Sequence, residues 1–382
     1  MKKILYLHPC AYVYGSDLVL LELIKGLDKN KYKPIVVLPT NGPLVNRLKE
    51  IGVDVHIIEY PVLCRKICTP KGILNYICTY KKYCKEIIKL IENENIDIVH
   101  ANTIAVLEGI YIAKKLKKPL VWHIHETLKK PRIVYKVTSY LVGKYSTKII
   151  CVSNSVKDNL LKSKCVSKDK IEVIYNGVDQ DRFNPSINSN DLRKELNIPS
   201  NSFILGMIGR VNAIKGQSEF VKIVENLNKK YDVYGIIVGD AINDQKWREE
   251  ELRKEIELSA CKDKLLYLGY RSDNNILHSL FDVYVLPSVA PDSLPTVVLE
   301  AMATKKVAVG YKCGGISEMV VDKKTGYLED IGNNIQLSSD IENLINNKEL
   351  YNSMSNLGYD RLTKYFSLSS FNKNIDNLYN KL

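Results

Sequence analysis

Two open α/β domains, each a parallel sheet with helices on both faces, are predicted by three features of this chain. Short apolar runs of strand length alternate with helical patterns throughout. A turn-rich stretch, Asn176-Gly177-Val178-Asp179 to Phe183-Asn184-Pro185, interrupts the alternation, which then restarts. At 382 residues the chain also exceeds one comfortable hydrophobic core. The expected halves are residues 1–178 and 179–364, with a terminal helix at 365–382 returning to the first. Doubly wound sheets take ligands at the carboxyl ends of their strands, and the two halves are expected to face each other across a cleft.

The first strand is Lys3-Ile4-Leu5-Tyr6-Leu7, an apolar run suited to a sheet covered on both faces. An amphipathic helix is expected over 18–27, from apolar residues at helical spacing. Strands follow at 34–38, 53–58, 97–100, 120–124, 149–152 and 171–174, with helices at 45–50, 76–92 and 105–116. In the second half strands are expected at 203–208, 234–238, 264–268, 283–286 and 307–310. Helices are expected at 219–230, 245–258, 275–280, 296–303, 335–346 and 350–364.

Composition narrows the function. No apolar run approaches the roughly 18 residues of a membrane-spanning helix. Met1-Lys2-Lys3 leads straight into the first strand, without signal-peptide character, so a cytoplasmic protein is expected. The nine cysteines (10, 64, 68, 78, 84, 151, 165, 261 and 313) are scattered without a Cys-x-x-Cys pair. They read as reduced thiols, mostly buried, rather than a metal or disulfide framework. The net charge of +12 is one-sided. Residues 1–150 hold 25 Lys and Arg against 12 Asp and Glu, and the remainder holds 30 against 31. A basic first half favours acidic ligands or peripheral contact with an anionic membrane. No zinc-finger or RNP-type motif supports a nucleic-acid partner.

The chemistry concentrates in residues 287–303. Asp292 lies on a loop, and Glu300 stands eight residues later near the start of an apolar helix. Between them Ser293, Leu294, Pro295 and Thr296 form a turn whose backbone N–H groups point above the helix start. A helix N-terminus suits an anion such as a diphosphate, and flanking carboxylates suit sugar hydroxyls. Gly209-Arg210 follows the strand at 203–208, with Lys215-Gly216 a short loop later. Glycine admits a phosphate to the backbone, and Arg with Lys neutralises its charge. These features indicate a nucleotide-sugar site.

The stretch from Pro287 to Ala303 resembles the acidic loop-helix motif of the retaining glycosyltransferases of family 4. Asp292 stands where the family has its first Glu, Ser293-Leu294 where it has Gly-Phe, and Glu300 where it has its second Glu. Gly209-Arg210 with Lys215-Gly216 resembles the family's diphosphate clamp. The resemblance implies two-domain GT-B architecture, with the donor held by the second half and the acceptor by the first. It also implies that Gly15 and Ser16, after the first strand, approach the ligand through the backbone, while Asp17 caps the helix. His125, at the end of Val121-Trp122-His123-Ile124-His125, would lie near the donor sugar, and His123 in the core. Gly239 would form a turn near the nucleotide, and the backbone at Tyr270 and Arg271 would meet the base. Cys313–Glu318 and Thr325–Leu328 would be packing turns.

The implied reaction is transfer of a sugar, with retention, from a nucleoside diphosphate sugar (UDP- rather than GDP-) to a hydroxyl of a glycan or lipid-linked acceptor. The setting would be cell-surface polysaccharide synthesis. Neither cofactor nor metal is expected. An epimerase or hydrolase on the same scaffold, or a non-catalytic nucleotide-sugar-binding subunit, are the rival readings. A dehydrogenase is disfavoured, since Gly-x-Gly-x-x-Gly is missing after the first strand.

Overall fold

The computed structural model describes every residue except Arg65, Lys66 and Cys68, and leaves the Asn243 side chain aside. The chain forms two compact units, Met1–Gly177 with Leu368–Leu382, and Val178–Ser367. The segments entering and leaving the second unit run side by side, with Val178 N donating to Phe366 O at 2.9 Å.

The first unit runs β1 (Lys2–Leu7), α1 (Gly15–Lys25), β2 (Tyr32–Leu38), α2 (Pro43–Glu50), β3 (Asp54–Ile57), α3 (Pro70–Leu90), β4 (Ile98–Asn102), α4 (Glu108–Leu116), β5 (Leu120–Ile124), α5 (Arg132–Tyr145), β6 (Lys148–Cys151), α6 (Asn154–Leu161) and β7 (Ile171–Val173). Its sheet is parallel, in the order β3-β2-β1-β4-β5-β6-β7. Within β1, Leu5 pairs with Ile35 on one side and Val99 on the other. Both faces are covered, so β4 and β5 are buried throughout.

The second unit runs α7 (Asn190–Glu195), β8 (Phe203–Ile208), α8 (Gln217–Asn228), β9 (Val233–Val238), α9 (Trp247–Leu258), β10 (Leu265–Tyr267), α10 (Asn274–Leu280), β11 (Val283–Leu286), α11 (Thr296–Ala303), β12 (Val307–Tyr311), α12 (Ile316–Met319), β13 (Gly326–Glu329), α13 (Asn334–Asn346) and α14 (Lys348–Tyr365). The order β10-β9-β8-β11-β12-β13 is again all parallel. The last helix, α15 (Leu368–Asn380), belongs to the first unit. Each sheet therefore reverses its winding once, between β1 and β4 and between β8 and β11, where such folds open a crevice for ligands.

Several elements depart from the sequence expectation. Helices α5, α6 and α7 fall in stretches assigned to no element. In α5 the buried residues are Thr138, Ser139 and Val142 while Ile133, Val137 and Tyr140 face outward, so its apolar pattern does not mark the inner face. Thr325–Leu328 is not a packing turn; most of it is edge strand β13. A glycine opens that four-residue strand and reads as a turn, but a Cβ on Gly326 would lie 2.0 Å from Ala308 O on the neighbouring strand. Of the cysteines, Cys84, Cys151 and Cys313 are buried, but Cys64 and Cys78 are exposed, on a loop and on the outer face of α3. Cys68 lies outside the described residues.

One buried acid sets a pH dependence. Glu108, at the start of α4, receives a 3.3 Å hydrogen bond from Tyr76 Oη, and its Oε2 has no partner. Burial pushes its carboxyl up to about 8, against the opposing backbone and Tyr76 hydrogen bonds. The folded chain thus holds this proton more tightly than the unfolded chain, whose Glu titrates near 4.5. The contribution is complete below that value and is lost as pH rises to about 8. Glu108→Gln is expected to stabilise the protein by a few kcal/mol at about pH 8, and by nothing near about pH 4.5. Urea unfolding at both pH values checks this, and an equal effect at the two would refute it.

Candidate functional site

In the second unit the predicted residues lie past the carboxyl ends of β8, β9, β10 and β11. Lys215 is placed by the loop after β8. Asn212 Oδ1 accepts from the Ile214 and Lys215 amides at 2.9 and 3.1 Å, and Val289 N donates to Ile214 O at 2.8 Å, tying this loop to the exit of β11. Gly216 then turns the chain into α8 at φ +81°, and a Cβ there would lie 1.9 Å from Pro287 O, so only glycine fits. Lys215 Nζ consequently meets Asp292 Oδ2 at 2.5 Å, both side chains being largely enclosed.

The loop carrying Asp292 rests on the turn after β12. Gly315 N donates to Asp292 O at 2.8 Å, and side chains at Gly314 or Gly315 would strike the backbone of Asp292 or Ser293. Leu294 and Pro295 are buried, which anchors the entry to α11. Helix α11 opens on Thr296 and Val297, whose amides precede its first hydrogen bond, from Val298 N to Pro295 O at 3.0 Å. Glu300, one turn in, meets His278 Nε2 at 3.2 Å through Oε2. Beneath both acids, Tyr284 donates to Ile208 O at 3.0 Å. Burial first, then the Glu300 and Asp292 charges, push its hydroxyl well above the ordinary range.

Gly209 lies against the Lys215 stem, where a Cβ would stand 3.4 Å from Lys215 Cε, and Arg210 is exposed beside it. Gln217 Nε2 holds the Arg210 carbonyl at 3.1 Å. Gly239, at φ +134°, packs on Gly209 O, and its amide donates to Gly269 O at 2.7 Å. Tyr270 is exposed next to that turn. The Arg271 guanidinium is engaged by Asp273, through two bonds of 2.9 and 2.7 Å, and by Glu195 at 2.9 Å. These partners, Asp273 first, raise its already high pKa.

In the first unit the predicted residues lie at the β1/β4 reversal. Gly15 opens α1, and a Cβ there would meet nothing within 4 Å. Asp17 Oδ2 caps the helix by accepting Tyr14 N at 3.0 Å, so the helix begins three residues before its apolar pattern. Asp17 Oδ1 meets His8 Nε2 at 2.6 Å, His8 Nδ1 meets Asn102 Nδ2 at 2.8 Å, and Asn102 Oδ1 meets His125 Nε2 at 2.9 Å. Asn102 Nδ2 also faces Ser16 O at 3.5 Å. Burial pushes the Asp17 carboxyl up, but His8, the Tyr14 amide and the Cys10 thiol together hold it below the ordinary range. Burial, the largest cause, lowers His125 to about 3, which keeps it neutral. His123 is fully buried beside it.

Sequence reading passed over His8, Asn102 and Glu126. Each sits at or just past a strand's carboxyl end, the one signal that marks them. Glu126 accepts the Ile104 and His125 amides at 3.2 Å each, and burial pushes its carboxyl up to about 7. Among the described residues, His8, Cys10 and Asp17 form a group that could hold a metal ion, with donor atoms within 4.8 Å of one another. The 2.6 Å between His8 and Asp17 is the spacing of a hydrogen bond. Two ligands of one tetrahedral zinc stand about 3.4 Å apart.

Known proteins resemble this chain in sequence and fold. The model described as "Glycosyltransferase Family 4" matches residues 13–182, and that of "Glycosyl transferases group 1" matches 188–361. The chain is 30% identical over 359 residues to the UDP-Gal:alpha-D-GlcNAc-diphosphoundecaprenol alpha-1,3-galactosyltransferase of Escherichia coli, covering 90% of this chain and 86% of that one. A glycosyltransferase from Rickettsia africae superposes with TM-score 0.85 at 25% identity, over 100% and 98% of the two chains. Anabaena HepE, solved with UDP, superposes with TM-score 0.87 at 23% identity over the whole of both and shares the fold. On the strength of the match to the E. coli enzyme along nearly its full length, the chain belongs to family 4 of the glycosyltransferases, with the GT-B fold.

Proposed function

We propose that this enzyme transfers a sugar, with retention, from a UDP-sugar to a hydroxyl of a lipid-linked glycan in cell-surface polysaccharide synthesis. The observation that carries the reading is the Lys215–Asp292 pair at the β8/β11 reversal, beside the N-terminus of α11. The names borne by relatives agree: the E. coli enzyme takes UDP-Gal and a diphosphoundecaprenol-linked acceptor, and a Staphylococcus aureus relative serves capsular polysaccharide biosynthesis.

As the bond from the sugar C1 to the diphosphate breaks, negative charge grows on the leaving oxygen. Arg210, Lys215 and the amides of Leu294 and Thr296 stabilise that charge where it develops. Glu300, oriented by His278, binds the ribose hydroxyls, and Asp292 those of the donor sugar. His125 accepts a hydrogen bond from a sugar hydroxyl. The acceptor oxygen bonds C1 on the departing face, and its proton passes to the leaving phosphate. These cationic groups take the part a divalent ion plays elsewhere, so turnover is expected to persist in EDTA. The second unit thus serves the donor and the first the acceptor.

The first unit fits an anionic membrane. No helix among the described residues is long and apolar enough to cross one. On α5, Ile133, Val137 and Tyr140 are exposed at helical spacing, and residues 127–157 hold seven Lys and Arg with no acid. Apolar insertion with surrounding cations is how a helix docks peripherally. Co-sedimentation with anionic vesicles, weakened by salt, is the expected result, and salt-insensitive or absent binding would remove this contact.

The deciding assay supplies UDP-sugars and GDP-mannose to the protein with a lipid-diphosphate-linked GlcNAc acceptor, followed by mass and the anomeric coupling of the product. An α-linked product from one UDP-sugar is expected. A β-linked product overturns retention, sugar release without acceptor favours the hydrolase, and binding without turnover favours the non-catalytic subunit.

A further inference from the structure

We propose that Asp17, His8 and Asn102 form a one-way hydrogen-bond relay that fixes the tautomer of His125, presenting its Nδ1 as a hydrogen-bond acceptor. The proposal rests on the reading of His125 as a site residue, and it adds three positioning residues drawn from the loop after β1, from α1 and from β4.

The direction of the relay follows from what each atom can do. Ser16 O only accepts, so the Asn102 atom facing it is the donor Nδ2. The same Nδ2 faces His8 Nδ1, which must therefore accept and carry no proton. The remaining ring nitrogen of His8, Nε2, then holds the proton and donates to Asp17 Oδ1 at 2.6 Å. At the other end Asn102 Oδ1 only accepts, so His125 Nε2 carries the proton that bridges the 2.9 Å between them. His125 is neutral, and its Nδ1 is left with a lone pair. Every donor in the chain points toward Asp17, whose carboxylate has no proton to give back.

The relay is held rigidly. Tyr60 Oη accepts the His8 amide at 3.0 Å and donates to backbone carbonyls, fixing the segment just after β1. His8, Asn102 and Asp17 are all buried. Asp17 is additionally held through Oδ2 by the α1 cap. Such supporting partners fix ring orientation and proton position without touching the ligand.

The relay makes a prediction with a sign. In Asp17→Asn the Tyr14 amide, a donor, keeps the side-chain oxygen, so the new NH2 faces His8 Nε2, which becomes the acceptor while its proton moves to Nδ1. Asn102 must then turn its oxygen to His8 and its amide to His125 Nε2, which moves the His125 proton to Nδ1. Adding Asn102→Asp restores an acceptor beside His125 Nε2 and should return the original tautomer.

Ring-15N spectra of histidine-labelled protein read the tautomer directly, with the His125 signals assigned by their loss in His125→Gln. The Nε2–H form is expected in the native chain, the Nδ1–H form in Asp17→Asn, and Nε2–H again in the double variant. Turnover of Asp17→Asn should fall about ten- to a hundredfold, with donor KM within about twofold, and recover in the double variant. If Asp17→Asn does not fold, Asn102→Leu breaks the relay beside His125 and should leave it a tautomer mixture. An unchanged His125 tautomer in these variants overturns the proposal. So does one equivalent of bound metal, since a cation on Asp17 Oδ1 would displace the His8 proton. Wild-type turnover in His125→Gln would instead remove His125 from the site, while the tautomer result stands by itself.

Discussion

Lys215→Ala is expected to lower kcat by about 10²–10³-fold, the loss seen when one group stabilising a developing oxyanion is removed. The size follows from placement. Lys215 stands on a loop fixed by Asn212, Val289 and a glycine that tolerates no side chain, so its ammonium is positioned before the donor arrives. It reaches Asp292 in a largely enclosed setting, where charge interactions exceed those in water. When a diphosphate binds, the ammonium can bridge phosphate and carboxylate, and its pull on the leaving oxygen grows as charge moves there. Lys215→Ala should therefore affect kcat more than donor KM. Little stability should change, since the Asp292 carboxylate left behind keeps some contact with solvent and can be rehydrated. Arg210→Ala should also cut turnover, and the double variant should fall short of the product of the two, because both act on one group. Turnover of Lys215→Ala within about fivefold of the native enzyme, with the melting temperature unchanged, would discard the clamp.

That site was legible because it is local. Asp292 and Glu300 stand on one loop and the helix it enters, and Arg210 and Lys215 flank one strand-to-helix loop. Linear spacing therefore carries their geometry. The same locality made the apolar runs at 120–124, 203–208, 283–286 and 296–303 match their observed bounds. The relay of the first unit had no such signature. His8 and Asp17 share the connection from β1 to α1, but Asn102 and His125 join them only through sheet order, and nothing in the sequence says that β4 lies between β1 and β5. His278 is hidden likewise: it lies on a short helix of its own, and only packing brings it to Glu300. The α5 helix was missed for the opposite reason. Its apolar residues face out, so periodicity misreports which side is buried.

Ending the chain at Ser367 is expected to unfold the first unit, although the lost segment is remote in sequence from that unit's other residues. Helix α15 buries Phe371, Ile375, Leu378 and Tyr379 in the core beneath β1 and β2. At about 1.5–3 kcal/mol for each such side chain, the four contribute roughly 6–12 kcal/mol as an upper estimate. A whole domain is stable by only about 5–15 kcal/mol. The polar contacts add to this. Tyr379 Oη meets Tyr6 Oη at 3.0 Å and His100 Nδ1 at 2.7 Å, while Lys2 Nζ donates to Tyr379 O at 2.9 Å. Removing the helix would leave two buried polar groups without partners as well as an open apolar face. Smaller changes should grade accordingly. Ile375→Ala should cost about 2–5 kcal/mol through a cavity. Tyr379→Phe keeps the ring but orphans its partners, and should cost about 1–3 kcal/mol. Limited proteolysis separates the outcomes: in the shortened chain, cleavage should enter residues 1–177 while 178–367 resists. Equal resistance of both units would show that the first closes its core without α15.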